Sequence, residues 1–200
     1  MPGAISHASR HYDLYIRTGD AGFYFRNDNH GVTLTGERIH WTFDGQEDGA
    51  PTTNIRSVHL QTGGGEFDNP MGVCRVTFAD GHVLIVTSAN DRGINDDERR
   101  PLYREFVHDL HARLAELPRG DISFTCGLQG MGYPLVVTCG VLLGVICVGV
   151  PVLALIATRS FGPLTVLFAG VGLYWPLITF IEKNAPRSYD PHEPPEELLE

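Results

Sequence analysis

Between residues 134 and 181 the chain carries a single charged side chain, Arg159, and no other stretch limits the fold so strongly. Residues 134–157, PLVVTCGVLLGVICVGVPVLALIA, are 24 uncharged residues. As a helix they would run about 36 Å, against a hydrocarbon core of about 30 Å. Residues 161–181, FGPLTVLFAGVGLYWPLITFI, supply 21 more, and Thr158, Arg159 and Ser160 between the runs suffice only for a tight turn. Both runs are apolar all round rather than striped, which argues for a transmembrane hairpin over a pair of buried soluble helices.

Basic residues near the ends set the expected orientation. Arg113 and Arg119 precede the hairpin, Lys183 and Arg187 follow it, and the turn holds only Arg159, so both termini are expected in the cytoplasm of a multi-pass inner-membrane protein. The hairpin also brings Tyr133 to the same interface as Tyr174 and Trp175, as an aromatic belt requires. Neither span contains Asp, Glu, Lys, Arg or His that could relay protons or hold ions, so transport by this chain alone is disfavoured. Gly140 and Gly144 form a small-xxx-small pair, and Gly170 and Gly172 lighten the second span, so close helix approach is expected.

The rest of the chain is polar and acidic. Net charge is −9, with 17 acids against 12 arginines in residues 1–120 and six acids against Lys183 and Arg187 from residue 182 onward. Such a balance lacks the basic surface of a general nucleic-acid binder. The N-terminus has no apolar core long enough for a secretory signal. Cys74, Cys126, Cys139 and Cys147 form no CxxC pair, which suits a reducing compartment.

Residues 12–88 alternate as half-buried strands do, most clearly at 38–43, where Ile39, Trp41 and Phe43 share one face. Seven strands are predicted, over 12–16, 22–26, 31–35, 38–43, 54–61, 73–78 and 82–87, with Asp80-Gly81 the strongest hairpin signal. Tyr103, Phe106, Val107, Leu110, Leu114 and Leu117 then recur at helical spacing behind Pro101, predicting one amphipathic helix that closes the sheet. The expected core is Ile39, Trp41, Phe43, Val76, Phe78, Phe106 and Leu110. The resulting organisation is a flexible N-terminus (1–11), a β domain (12–118), a linker (119–133), spans at 134–157 and 161–181, and an acidic proline-rich tail (182–200) without apolar periodicity, expected to be extended or disordered.

The order of seven short strands and one C-terminal helix, carried by NIRSVHLQ, CRVTFADGHVLIVTS and PLYREFVHDLHARLAEL, resembles bacterial pleckstrin-homology-like domains fused to transmembrane helices. The resemblance implies an α+β fold, a seven-stranded sandwich or partly open barrel capped by the helix, and a binding use toward lipid headgroups or peptides. Lipid-binding members carry a basic cluster at the first hairpin. Here only Arg17 and Arg26 stand there, with Asp20 between them, so phosphoinositide binding is disfavoured.

No catalytic, cofactor-binding or metal-ligating residue is assigned. Glu105 and His108 form one Glu-x-x-His pair, with His111 three residues on, but carboxylate-bridged metal sites need a second copy from a facing helix. His7 and His11 lack a helical pattern around them, and His40, His59 and His82 fall on strands. Asp28, Asn29 and Gly31 lack the closing glutamate of a calcium loop, and Gly63 to Gly65 lack the Lys-Ser/Thr of a phosphate loop. The expectation is a non-enzymatic, membrane-anchored scaffold presenting the β domain to a protein partner. The alternative is an accessory subunit whose hairpin packs into a larger membrane complex.

Overall fold

A strand of the β domain lies on either side of the apolar helices in sequence, and the two strands pair. In the computed structural model, which describes residues 8–19, 30–43, 45–63, 71–90, 94, 96–117, 122–128, 130, 132–158 and 162–199, the chain divides into two compact units. Met1–Cys126 joins Arg187–Glu200 in one, and Gly127–Pro186 forms the other.

The first unit is a nine-stranded sheet in the order β4-β3-β2-β1-β7-β6-β5-β8-β9. Strands β1 (Arg10–Thr18), β2 (His30–Leu34), β3 (Arg38–Phe43) and β4 (Gln46–Pro51) form an antiparallel meander, as do β5 (Ile55–Gly63), β6 (Met71–Phe78) and β7 (Val83–Thr87). Pairing of β1 with β7 joins the two. After α1 (Arg99–Ala115) the chain adds β8 (Ser123–Cys126) parallel to β5, and β9 (Arg187–Ser188) then pairs antiparallel with β8.

The architecture is mixed α+β, but it departs from the seven-stranded sandwich or barrel that was expected. There is one open nine-stranded sheet, and its edge strands β4 and β9 do not meet. Six of the expected strands match β1, β2, β3, β5, β6 and β7 to within two residues at either end, and the strand expected at 22–26 lies outside the described residues. Three strands escaped the pattern. QEDGAP of β4 has no apolar alternation and forms because β3 offers it a full ladder, from Arg38↔Pro51 to Phe43↔Gln46. Its Pro51 is tolerated at the end of an edge strand. β8 and β9, of four and two residues, are too short for a period to show.

Alternation puts Leu14, Ile16, Val32, Ile39, Val58, Leu60, Val76, Leu84 and Val86 on one face, and α1 covers them with Tyr103, Phe106, Val107, Leu110 and Leu114. Trp41 stacks on Phe78 at 5.6 Å, and Tyr12 meets Phe106 edge-on at 5.5 Å. Six of the seven expected core residues are buried, with Phe43 partly so. Helix α1 begins at Arg99 rather than Pro101, because Asp96 accepts the Glu98 N–H on its side chain (3.0 Å) and the Arg99 and Arg100 N–H groups on its carbonyl. A proline in the first turn removes no helical hydrogen bond, so Pro101 fits there. Arg113, almost wholly buried, holds Asp109 through two hydrogen bonds of 3.1 and 2.9 Å and donates to the Thr35 and Ala8 carbonyls. Asp109 in turn accepts the Tyr12 hydroxyl at 2.8 Å. The charge sits inside because every group around it is satisfied.

The expected linker and tail are also corrected. Residues 123–126 of the linker are β8. The tail folds onto the sheet: Leu198 and Leu199 are 0% and 1% exposed and belong to the main core. A fragment ending at 118 would therefore lack six contributors to that core, buried Cys126, Leu198 and Leu199 and partly buried Ile122, Phe124 and Tyr189.

In the second unit, α2 (Gly132–Gly144), a π-helical turn (Val145–Gly149) and α3 (Val150–Thr158) continue as one apolar helix, and α4 (Gly162–Lys183) is the other. Both are long and apolar enough to cross a membrane, with Phe168 and Trp175 at least 70% exposed. Three of the four glycines singled out from sequence face the partner helix, whereas a Cβ on Gly172 would meet nothing within 4 Å. A Cβ on Gly140 would stand 2.8 Å from Ile181, one on Gly144 2.9 Å from Tyr174, and one on Gly170 2.2 Å from the Cys147 carbonyl in the π turn. Contact this close is what associates helices in lipid, where apolar burial gives no drive. Pro151 follows the π turn and Pro176 lies inside α4. At the neck, the Leu128 N–H donates to Asn184 O (2.9 Å), so the start and end of the helix pair are bonded to each other.

Two substitutions test the core. Phe106→Ala should cost about 3–5 kcal/mol by lost burial and a cavity. Gly72→Ala, whose Cβ would lie 2.3 Å from the Tyr103 ring, should cost about 1–3 kcal/mol by overpacking. Urea unfolding of the full chain in detergent, followed by Trp41 fluorescence with Trp175→Phe, measures both.

Candidate functional site

The C-terminal half of α1, β8 and the returning tail meet at one edge of the sheet, where buried His111 and Cys126 lie with Tyr189. His111 lies on the buried face of α1, one turn beyond Val107. A carbonyl only accepts, so the 2.7 Å contact to Val107 O fixes the proton on Nδ1, and Nε2 accepts the Tyr189 hydroxyl at 2.8 Å. Phe124 of β8 completes an aromatic cluster, with ring centroids 5.5 Å from His111 and 6.0 Å from Tyr189. Burial pushes His111 down to about 4; the Val107 hydrogen bond opposes this and the neighbouring His108 adds to it. At neutral pH the ring is uncharged and both nitrogens are engaged.

The two thiols nearby are equally quiet. Cys74 of β6 and Cys126 of β8 flank Leu60 of β5 in one row, two strands or about 10 Å apart, beyond disulfide reach. Burial pushes Cys74 up to about 12 and raises Cys126, with Arg187 opposing the latter. The Tyr103 hydroxyl is buried without a hydrogen-bond partner, and burial raises it well above the usual tyrosine range. None of these groups is an activated nucleophile.

Outside the cluster, the tail also makes exposed polar contacts with α1 and within itself. Glu196 lies 3.1 Å from His108 Nε2 and 4.0 Å from Arg104, and Glu197 pairs with Arg187. An open cavity of about 430 Å³ lies beside this edge, with an apolar wall of Leu114, Leu117, Ile122 and Phe124 and a polar rim of Ser123, Ser188 and Asp190. Its size falls within the range of small-ligand pockets.

The residues weighed from sequence are not brought together. Glu105 pairs with Arg10, His108 with Glu196 and His111 with Tyr189, so the Glu-x-x-His pair is divided among three partners. His11 bonds Thr33 (3.0 Å) and His59 bonds Thr125 (2.9 Å). Gly31 lies in β2 with φ 100°, where the register between β1 and β2 shifts. His7, Asp20, Arg26, Asp28, Asn29, Gly64 and Gly65 lie outside the described residues. Among the described residues no three His, Cys, Asp or Glu side chains converge as metal ligands. The cluster itself was missed because Tyr189 lies 78 residues from His111 and in a segment whose composition reads as disordered. The remaining signal was Tyr189, Leu198 and Leu199, apolar anchors among carboxylates. No protein-family profile matches the chain, and no curated protein sequence matches it.

The depressed His111 value sets a pH dependence. Unfolded chain takes up this proton as pH falls through about 6.5, whereas the folded chain resists it until about 4, so stability declines across that window by up to about 3 kcal/mol. His111→Gln should flatten the decline relative to wild type in urea titrations at pH 7, 6 and 5. Parallel profiles would show that His111 does not hold this buried neutral state.

Proposed function

We propose that the protein is a non-enzymatic membrane-anchored interaction protein: the helix pair is a transmembrane hairpin, and the β domain it carries faces the cytoplasm to bind another protein. The supporting observation is the pairing of β8 with β9, Thr125↔Ser188 and Cys126↔Arg187, across the helices between them. A folded unit built from chain on both flanks of the apolar helices requires the chain to enter and leave the bilayer on one side. Arg113, Arg119, Lys183 and Arg187 on those flanks, against Arg159 in the turn, favour the cytoplasmic side. Binding is favoured over catalysis because the buried His and Cys groups are held neutral and occupied.

Topology reporters test the placement. Fluorescent protein joined after Glu200 through a flexible linker should fluoresce, and alkaline phosphatase inserted at the 159–160 turn should be active. A phosphatase active after Glu200 would reverse the orientation. Affinity purification in mild detergent tests the role: a partner lost on deletion of the β domain supports it, whereas one retained by the hairpin alone favours an accessory subunit.

A further inference from the structure

We propose that β4 is a guarded edge: Asp48, Arg38 and Pro51 withhold the main-chain groups on which a second copy of this chain would otherwise pair, and so keep the β domain from associating edge to edge.

The sheet ends in two strands. β9 is two residues long, too short to template another strand. β4 runs six residues, and among the described residues no strand pairs with its outer side. Which of its groups face outward follows from the register. In an antiparallel pair, directly opposed residues alternate between those that exchange both main-chain bonds and those that exchange none. The Thr52 N–H donates to Glu37 O at 2.9 Å, one step beyond the pair Arg38↔Pro51. Ile39 with Ala50 and Trp41 with Asp48 are therefore bonded pairs, and Glu47, Gly49 and Pro51 turn their main-chain groups away from β3.

That outward row is then closed residue by residue. The Gly49 N–H donates to the Asp48 carboxylate at 2.7 Å, and the Gly49 carbonyl accepts the Arg38 guanidinium at 3.0 Å. Pro51 has no N–H to give. Within β4 only Glu47 retains an outward N–H, and one donor does not make a ladder. Charge closes the remaining registers. A two-fold pairing of β4 with itself centred on Glu47 or Asp48 would set like carboxylates face to face, which is destabilising. A pairing centred on Gly49 or Ala50 would meet the capped groups of Gly49 or the missing N–H of Pro51.

The test compares the full chain in mild detergent with Arg38→Ala/Asp48→Ala and with the same pair joined to Pro51→Val. Protein mass by light scattering reports association, amide exchange of residues 45–51 locates it, and Trp41 fluorescence, with Trp175→Phe, reports folding. Restoring three main-chain groups per copy should raise self-association about tenfold or more, with exchange at Glu47 and Gly49 slowing as concentration rises. Asp48→Ala alone, a change of one exposed side chain, should act in the same direction. Asp48→Asn, which removes the charge but keeps an acceptor for the Gly49 N–H, should associate less than Asp48→Ala. A wild-type chain whose own β4 amides slow with concentration would overturn the proposal. So would folded variants that associate no more than wild type, or that associate while residues 45–51 exchange as fast as in dilute chain, since the contact would then lie elsewhere.

Discussion

Everything about this chain depends on its closing on itself at the neck. Within the first unit Thr125 pairs with Ser188 and Cys126 with Arg187, and within the second the Leu128 N–H donates to Asn184 O, so outgoing and returning chain are bonded to each other in each unit. Gly127 permits this at φ 95°, since a Cβ there would lie 2.5 Å from the Ala185 carbonyl. The returning segment then supplies what the sheet edge lacks: Tyr189 to His111, and Leu198 and Leu199 to the core. The first unit is assembled from chain on both sides of the apolar helices.

Such a closure explains how a proline-rich acidic segment can be ordered. Its composition cannot bury enough apolar surface to offset its own backbone entropy, which is why it reads as disordered. It folds because the surface awaiting it already exists, and because α4 delivers it within four residues of β8's partner position. The salt bridges of Glu196 and Glu197 are exposed and add little. Burial of Leu198, Leu199 and Tyr189 against α1 and β8 supplies the larger share.

The elements legible in the sequence were those with a long period. The apolar helices, the Arg38–Phe43 alternation, the Asp80-Gly81 turn and the stripe of α1 each repeat enough times to be read locally. The elements that escaped are defined by partners. β4 exists because β3 had a free edge, β8 because α1 returns the chain to β5, and β9 because the apolar helices return it to β8. The glycines of the spans were visible as a pattern, but their close contacts with Ile181, Tyr174 and the Cys147 carbonyl depend on helix register. The cavity was the least legible part, because its lining is drawn from residues between 114 and 191 and no local motif marks it.

Amide hydrogen exchange on the full chain in nanodiscs tests the closure most directly. Tyr189, Leu198 and Leu199 donate to Phe124, Pro195 and Glu196, and the first is the amide that joins tail to sheet. The expected result is protection of the Tyr189 amide comparable to the β8 amides, lost together with them as the domain unfolds. Exchange of residues 187–199 at the rate of an unstructured peptide, with β8 still protected, would show that the tail is not part of the domain and would remove the basis for a unit closed across the apolar helices.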